Sequence, residues 1–160
     1  MRIVIVEDEA PIREGMEKIL KKLSPSYVLA GKACDGLEGL EVIRREKPDV
    51  VIMDIRMPDM DGLTMLEKLR EEGVTSKAVI LSAYSDFSYA KRAMELGVSN
   101  YLLKPVKIQE LRKVLQQMEE EVREENSQET LLSCQNIPPS PGRHPYGKAP
   151  WYTGSFPQKP

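Results

Sequence analysis

Apolar residues in this chain follow two alternating rhythms. The short runs Arg2–Val6, Tyr27–Ala33, Asp49–Met53, Lys77–Leu81 and Asn100–Leu103 are rich in Val, Ile, Leu and Tyr, and several are apolar nearly throughout. Runs of that kind predict strands covered on both faces. Between them, apolar positions recur every three or four residues. Ile12, Met16, Ile19, Leu20 and Leu23 share one helical face, with Pro11 suited to the first turn. Leu37, Leu40 and Ile43 form the next stripe, behind Asp35 as N-cap. Leu63, Leu66 and Leu69 follow, with Asp61 as cap and Gly73 as stop. Phe87, Ala90, Ala93 and Met94 make a fourth stripe closed by Gly97, and Ile108, Leu111, Leu115 and Met118 make a fifth.

Five strand–helix units within residues 1–125 define an α/β domain, an open parallel sheet with helices on both faces. Right-handed crossovers leave few topologies. The flavodoxin-like, doubly wound order 2-1-3-4-5 is favoured, because five strands suffice and no glycine-rich nucleotide fingerprint follows the first strand. After about Glu125 the pattern stops. Residues 126–160 carry seven prolines and three glycines, and only Leu131-Leu132 forms an apolar pair. Such a segment cannot bury a core, so it reads as a proline-rich disordered tail. Its PxxP string at Pro138–Pro141 and its aromatic residues Trp151, Tyr152 and Phe156 offer material for a peptide ligand; the plainer reading is an incidental tail.

Charge adds little. Residues 1–125 hold 20 Lys and Arg against 24 Asp and Glu, and residues 126–160 hold 3 against 1. Neither balance is basic enough to bind nucleic acid by charge alone. Cys34 and Cys134 lack neighbours at metal-ligand spacing, and Cys34, ending a predicted strand, reads as a small buried apolar residue. Unpaired thiols, no signal-peptide pattern and no apolar run near the roughly 18 residues of a membrane helix predict a cytoplasmic chain.

The strand exits carry the chemistry. The first ends at Glu7-Asp8, the third at Asp54, the fourth at Ser82 and the fifth at Lys104. A parallel sheet gathers these ends at one edge, with the first and third strands adjacent. Three carboxylates brought together there repel one another and favour protons or a cation. A hard divalent ion with oxygen ligands answers that need, and Mg²⁺ suits few carboxylates and several waters. Asp54 can then attack phosphorus in line to give an acyl phosphate, with Lys104 supplying positive charge and Ser82 a hydrogen bond. Each residue alone has a plain reading as a cap, turn or loop residue; the coincidence of all five carries the inference.

The segments IVEDE, VIMDIRMPDMDG and ILSAYSDFSYAKRAMELGVSNYLLKP resemble the receiver domain of bacterial two-component response regulators over roughly residues 1–122. The wording of the last segment is most similar to receivers joined to AraC-type (YesN-like) helix-turn-helix output domains. The resemblance implies that Asp54 is the phosphoacceptor, loaded by a sensor histidine kinase, and that the domain is not a turnover enzyme. It implies Mg²⁺ held by Asp8, Asp54 and the backbone carbonyl of Arg56, with Glu7 acting through water. It further implies that Lys104 pairs with the phosphoryl group, that the Lys104–Pro105 peptide is cis, and that Ser82 and Tyr101 form a switch. By the same resemblance, Arg56 and Tyr84 occupy positions that in the family tune dephosphorylation. Phosphorylation-dependent homodimerisation through the fourth helix, fifth strand and fifth helix is implied as well.

Two rival motifs share the loop after Asp54. Asp59-Met60-Asp61-Gly62-Leu63-Thr64 partly matches a phosphatase signature, but there the first aspartate must end a strand. A calcium loop fails, because Met57 and Lys68 would hold ligand positions. A non-phosphorylated receiver-like interaction module stays open as an alternative. A DNA-binding output domain needs on the order of 100 further residues with helical periodicity, and residues 126–160 show no recognition-helix pattern. The chain therefore reads either as a free-standing receiver or as the receiver of a longer transcriptional regulator carrying a foreign tail, with no nucleic-acid or membrane contact of its own.

Overall fold

The computed structural model describes residues 1–83 and 87–135. Strands and helices alternate as β1 (Arg2–Val6), α1 (Ala10–Leu23), β2 (Val28–Ala33), α2 (Gly36–Glu46), β3 (Val50–Asp54), α3 (Gly62–Glu71), β4 (Lys77–Ser82), α4 (Phe87–Glu95), β5 (Asn100–Leu103) and α5 (Ile108–Gln135). All pairings are parallel and the sheet order is β2-β1-β3-β4-β5. The flavodoxin-like, doubly wound fold expected from the alternating pattern is the fold observed.

Two cores flank the sheet. Alternate residues of the central strands serve opposite faces, as the strand period requires. Val4, Val6, Val51, Met53, Ala78 and Ile80 pack with α2, α3 and Ala93 of α4. Ile3, Ile5, Val50, Ile52, Val79 and Leu81 pack with Met16 and Leu20 of α1 and with Leu111, Leu115 and Met118 of α5. β3 is buried along its whole length, which explains why its sequence is a continuous apolar run rather than an alternation. One irregularity was not legible: the β1–β2 register shifts between Ile3 and Val4, which pair with Leu29 and Gly31.

Caps set the helix starts. Asp35 Oδ1 accepts from Glu38 N–H at 2.8 Å, while Glu38 Oε2 accepts from Cys34 N–H at 2.7 Å. Asp61 Oδ1 likewise accepts from Thr64 N–H at 2.8 Å. These bonds satisfy amide donors that the first helical turn leaves without partners. Gly73 and Gly97 take positive φ values of 79° and 69° after α3 and α4, the left-handed stop that glycine adopts without steric cost.

Several sequence-based expectations are corrected. Cys34 is exposed, because β2 is an edge strand and its last buried residue is Ala33. Leu37 is exposed and the sheet side of α2 is lined by Gly36, Gly39, Leu40, Val42 and Ile43. Phe87, Met94 and Ile108 are exposed too, and Ala93 is the buried residue of α4. Residues 126–135, expected to be disordered, continue α5 to Gln135. The unit comprising residues 127–160 is thus helical over its described part, Ser127–Gln135. Gln128, Glu129, Leu131, Leu132 and Gln135 are good helix formers, and the first proline beyond the fifth apolar stripe is Pro138. The PxxP string and tail aromatics lie outside the described residues.

With little apolar burial, α4 is fastened by arginines. Arg92 Nη2 donates to Glu67 Oε2 at 2.8 Å and to Thr64 Oγ1 at 3.3 Å. Arg70, half-buried at the end of α3, donates to the carbonyls of Val74 (2.6 Å), Ser76 (2.9 Å) and Leu96 (3.3 Å). Arg70→Ala leaves three carbonyls short of a charged donor, so a loss of about 2 kcal/mol is expected in urea unfolding. Amide exchange should accelerate most at Leu96 to Val98. Unchanged exchange there would mean that Arg70 does not hold the α4 end.

On the outer surface, the Glu17 carboxylate accepts from Lys21 Nζ at 2.7 Å and Lys32 Nζ at 2.5 Å. The hydrogen bond from Lys21, then that from Lys32, lowers its pKa from 4.5 to about 2. A depressed folded pKa makes its stabilisation complete above 4.5 and lost as pH falls towards about 2. Because the group is exposed, the contribution is small. Its carboxyl carbon, followed by NMR, should titrate near 2 in this protein and at a higher pH in Lys32→Ala. An unmoved midpoint would exclude the Lys32 contact in solution.

Candidate functional site: a lysine-bridged acidic pocket

Sheet register assembles the site. Val6 is level with Met53, so Glu7 and Asp54 leave β1 and β3 side by side. Asp54 is level with Leu81, placing Ser82 one residue further along β4. Ser82 is level with Leu103, placing Lys104 one residue beyond β5. Residues nearly a hundred positions apart thus stand along one sheet edge.

Burial singles out the same place. Among the described residues, the buried polar or charged side chains are Glu7, Asp54 and Ser82, at 1%, 7% and 1% exposure. Buried polar groups cost stability unless they are partnered, so their concentration at one edge marks chemistry rather than packing. Lys104 supplies the partner. Its Nζ donates to Asp54 Oδ2 at 2.9 Å and lies 2.8 Å from Glu7 Oε2. The two contacts make Lys104 a bridge between the buried carboxylates, and it is the charged partner of Glu7 Oε2. Burial alone would pull the Lys104 ammonium down, but the two carboxylates outweigh it and hold its pKa above 10.5. Glu7 shows the opposite balance: burial, helped by the charge of Asp54, lifts its carboxyl above 4.5 against the pull of Lys104.

Asp8, the next residue after Glu7, is half-buried. Carboxylate oxygens of Glu7, Asp8 and Glu9 lie within 4.8 Å of one another. Glu9 was not among the residues singled out from the sequence, although the run Glu7-Asp8-Glu9 displays it. The donor set fits a hard divalent cation such as Mg²⁺: the oxygens are carboxylate, and their charges exceed what one lysine can balance. Asp54 is joined to Glu7 through their shared contact with Lys104, outside that group of three carboxylates.

Lys104 N–H donates to the Ser82 carbonyl at 2.8 Å, tying the ends of β4 and β5, and the Lys104–Pro105 peptide is cis. Tyr101 is half-buried against the core that includes α4. Arg56 is exposed, and its guanidinium lies 5.8 Å from the ring centroid of Tyr89 on α4, a cation–π contact. Tyr84 lies outside the described residues.

Behind Asp54 the loop is closed by backbone contacts. Asp59 turns it with φ of 63°, and Gly62 N–H donates to the Ile55 carbonyl at 2.8 Å. A Cβ on Gly62 would meet the Asp54 carbonyl oxygen at 2.1 Å. In sequence Gly62 is one residue of the loop after Asp54; its closeness to the Asp54 backbone is a tertiary fact.

Fold and pocket together define a class: a doubly wound α/β domain with a lysine-bridged acid pocket at the carboxyl ends of its strands. The chain belongs to the response regulator receiver domain family, whose model matches residues 3–116. It is 36% identical over 125 residues to YesN of Bacillus subtilis, described as an uncharacterized transcriptional regulatory protein, covering 78% of this chain and 34% of that protein. It is 36% identical over 135 residues to the transcriptional regulatory protein HptR of Staphylococcus aureus, covering 83% of this chain and 53% of that one. The receiver domain of AraT, a response regulator from Geobacillus stearothermophilus, superposes with a TM-score of 0.71 at 36% identity, covering 78% of this chain and 97% of that structure. The chain thus spans between a third and about half of these two full-length relatives. Among the described residues, no helix is long and apolar enough to cross a membrane.

Proposed function

We propose that this chain is the phosphorylation-activated switch of a two-component system, working in the cytoplasm and taking a phosphoryl group from a sensor histidine kinase onto Asp54. The observation that carries the reading is the amine of Lys104, set between the buried carboxylates of Glu7 and Asp54 at the edge where Ser82 also lies.

Chemistry follows from these groups. One oxygen of Asp54 is engaged by Lys104, which leaves the other to attack phosphorus in line and form an acyl phosphate. Lys104 is positioned to exchange its carboxylate partner for a phosphoryl oxygen, and its raised pKa keeps it charged while it does so. The Ser82 hydroxyl offers the phosphoryl group a hydrogen bond. Asp8, Asp54 and the backbone carbonyl of Arg56 would hold Mg²⁺, with Glu7 acting through water. When bound, the ion supplies charge that screens the incoming phosphate from the acids.

Output runs through Ser82 and Tyr101. A hydroxyl drawn towards the phosphoryl group vacates space that the Tyr101 ring can fill, favouring one of two packings of the α4, β5 and α5 face. Phe87, Met94, Leu103 and Ile108 on these elements are 83%, 79%, 48% and 51% exposed, an apolar supply suited to a homodimer contact formed after phosphorylation. Arg56 and Tyr84 tune phosphoryl lifetime in this reading. The same chemistry serves the receiver part of a transcriptional regulator and a free-standing receiver.

Incubation of the chain with Mg²⁺ and a small acyl phosphate tests the reading. An adduct of about 80 Da, one phosphoryl group, is expected, and removal of Mg²⁺ by chelation should prevent it. Absence of any adduct would favour an interaction module that does not accept phosphate.

A further inference from the structure

We propose that Arg13 is a positioning residue of the acidic loop: fastened to the backbone of Glu7 and Asp8, it keeps their carboxylates gathered for a divalent cation. The inference rests on the cation-assisted reading of the pocket.

Glu7, Asp8 and Glu9 are consecutive, and their carboxylate oxygens sit within 4.8 Å of one another. Like charges at that range drive the loop apart. Few bonds resist. Glu7 N–H donates to the Ala33 carbonyl at 3.0 Å, and Glu9 N–H donates to Glu7 Oε1 at 3.3 Å. Glu9 is the N-cap of α1 but makes no side-chain capping bond, so the entry to that helix is not fixed in the usual way. Arg13 fills the gap from one turn inside α1. Its Nη1 donates to the Glu7 carbonyl at 2.6 Å and reaches the Asp8 carbonyl at 3.4 Å, while its own N–H donates to the Glu9 carbonyl at 3.0 Å. All three residues of the loop are thereby tied to one side chain and its backbone.

The choice of partner atoms matters. An arginine that paired with the carboxylates would compete with a cation for the same oxygens. Bonded to carbonyls, Arg13 lowers the electrostatic cost of assembling the acids while leaving their ligand atoms to the metal. This makes the sign of a substitution decisive. By charge alone, removing a cation beside a Mg²⁺ site tightens Mg²⁺ binding; by positioning, removal loosens it.

Calorimetric titration of Mg²⁺ into the full chain separates the two. Arg13→Ala is expected to weaken Mg²⁺ binding by about tenfold, the scale typical of lost outer-shell partners. Arg13→Gln, which removes the charge but keeps an amide donor, should lose less. The Mg²⁺ concentration giving half-maximal acyl-phosphate labelling should rise in the same proportion, with labelling at saturating Mg²⁺ retained. Circular dichroism melts in chelator report whether each variant folds, and Arg13→Gln carries the test should Arg13→Ala not do so. Equal or tighter Mg²⁺ binding by a folded variant overturns the role of Arg13 while leaving the pocket's reading intact. Failure of the unsubstituted chain to bind Mg²⁺ overturns both.

Discussion

Asp54→Ala is expected to reduce labelling by a small acyl phosphate from about one phosphoryl group per chain to background. The reason is positional as well as chemical. Asp54 ends β3 at 7% exposure, with Oδ2 bonded to Lys104, so in the proposed reading its second oxygen is the one offered to phosphate. Asp8 and Glu9 are more exposed carboxylates, but neither has the lysine that would stabilise charge on a transferred phosphoryl group. The variant should still fold, because Glu7 keeps its ion-pair contact with Lys104 at 2.8 Å. Intact-mass spectra of both proteins, with a circular dichroism melt of each, decide the matter. Undiminished labelling of a folded Asp54→Ala protein would remove Asp54 from the role of acceptor.

Gly62→Ala should be the most damaging single-methyl change near the site. The added Cβ would stand 2.1 Å from the Asp54 carbonyl oxygen and 3.1 Å from its carbonyl carbon, both backbone atoms that cannot rotate away. Relief requires α3 to shift from the end of β3, stretching the 2.8 Å bond from Gly62 N–H to the Ile55 carbonyl. Overpacking of this kind costs about 1–3 kcal/mol, and the upper end is expected because the obstacle is main chain. The melting temperature should fall by about 5 °C or more. Labelling should slow as well, since the displaced backbone carries Asp54. Gly15→Ala is the control: nothing lies within 4 Å of its Cβ, and alanine in an open helical position is neutral or mildly stabilising. Equal melting temperatures for the two variants would show that Gly62 is not held against Asp54 in solution.

Much of the site was legible because a parallel sheet converts sequence position into spatial position by a simple rule. Each of Glu7, Asp54, Ser82 and Lys104 follows or ends an apolar run, and the order 2-1-3-4-5 brings those exits to one edge. What a strand exit cannot reveal is the neighbour beyond its own run. Gly62 follows the cap Asp61 without any mark of its own, and its contact with Asp54 exists only once α3 has folded back on β3. Arg13 looked like a polar residue on an amphipathic helix, and its carbonyl partners lie behind it in the loop that enters α1.

The helices show the same division. The stripes of α1, α3 and α5 predicted most of their buried residues, because each packs broadly on the sheet. Phe87 and Met94 fit a stripe equally well and are exposed, since periodicity reports that one face is apolar but not how much of it meets a partner. The extension of α5 to Gln135 was missed for the converse reason: its residues favour the helix by propensity without displaying an apolar face.

By itself, then, the chain's wording determined strand order, helix placement, caps and the strand exits at which Glu7, Asp54, Ser82 and Lys104 stand, all properties that depend on neighbours within about ten residues and on the handedness of crossovers. Tertiary structure decided the rest: which carboxylate shares Lys104, which glycine must lack a side chain, and which apolar residues stay in water. Those outcomes depend on distances between segments remote in sequence, and such distances are set only when the sheet and its two helical layers close together.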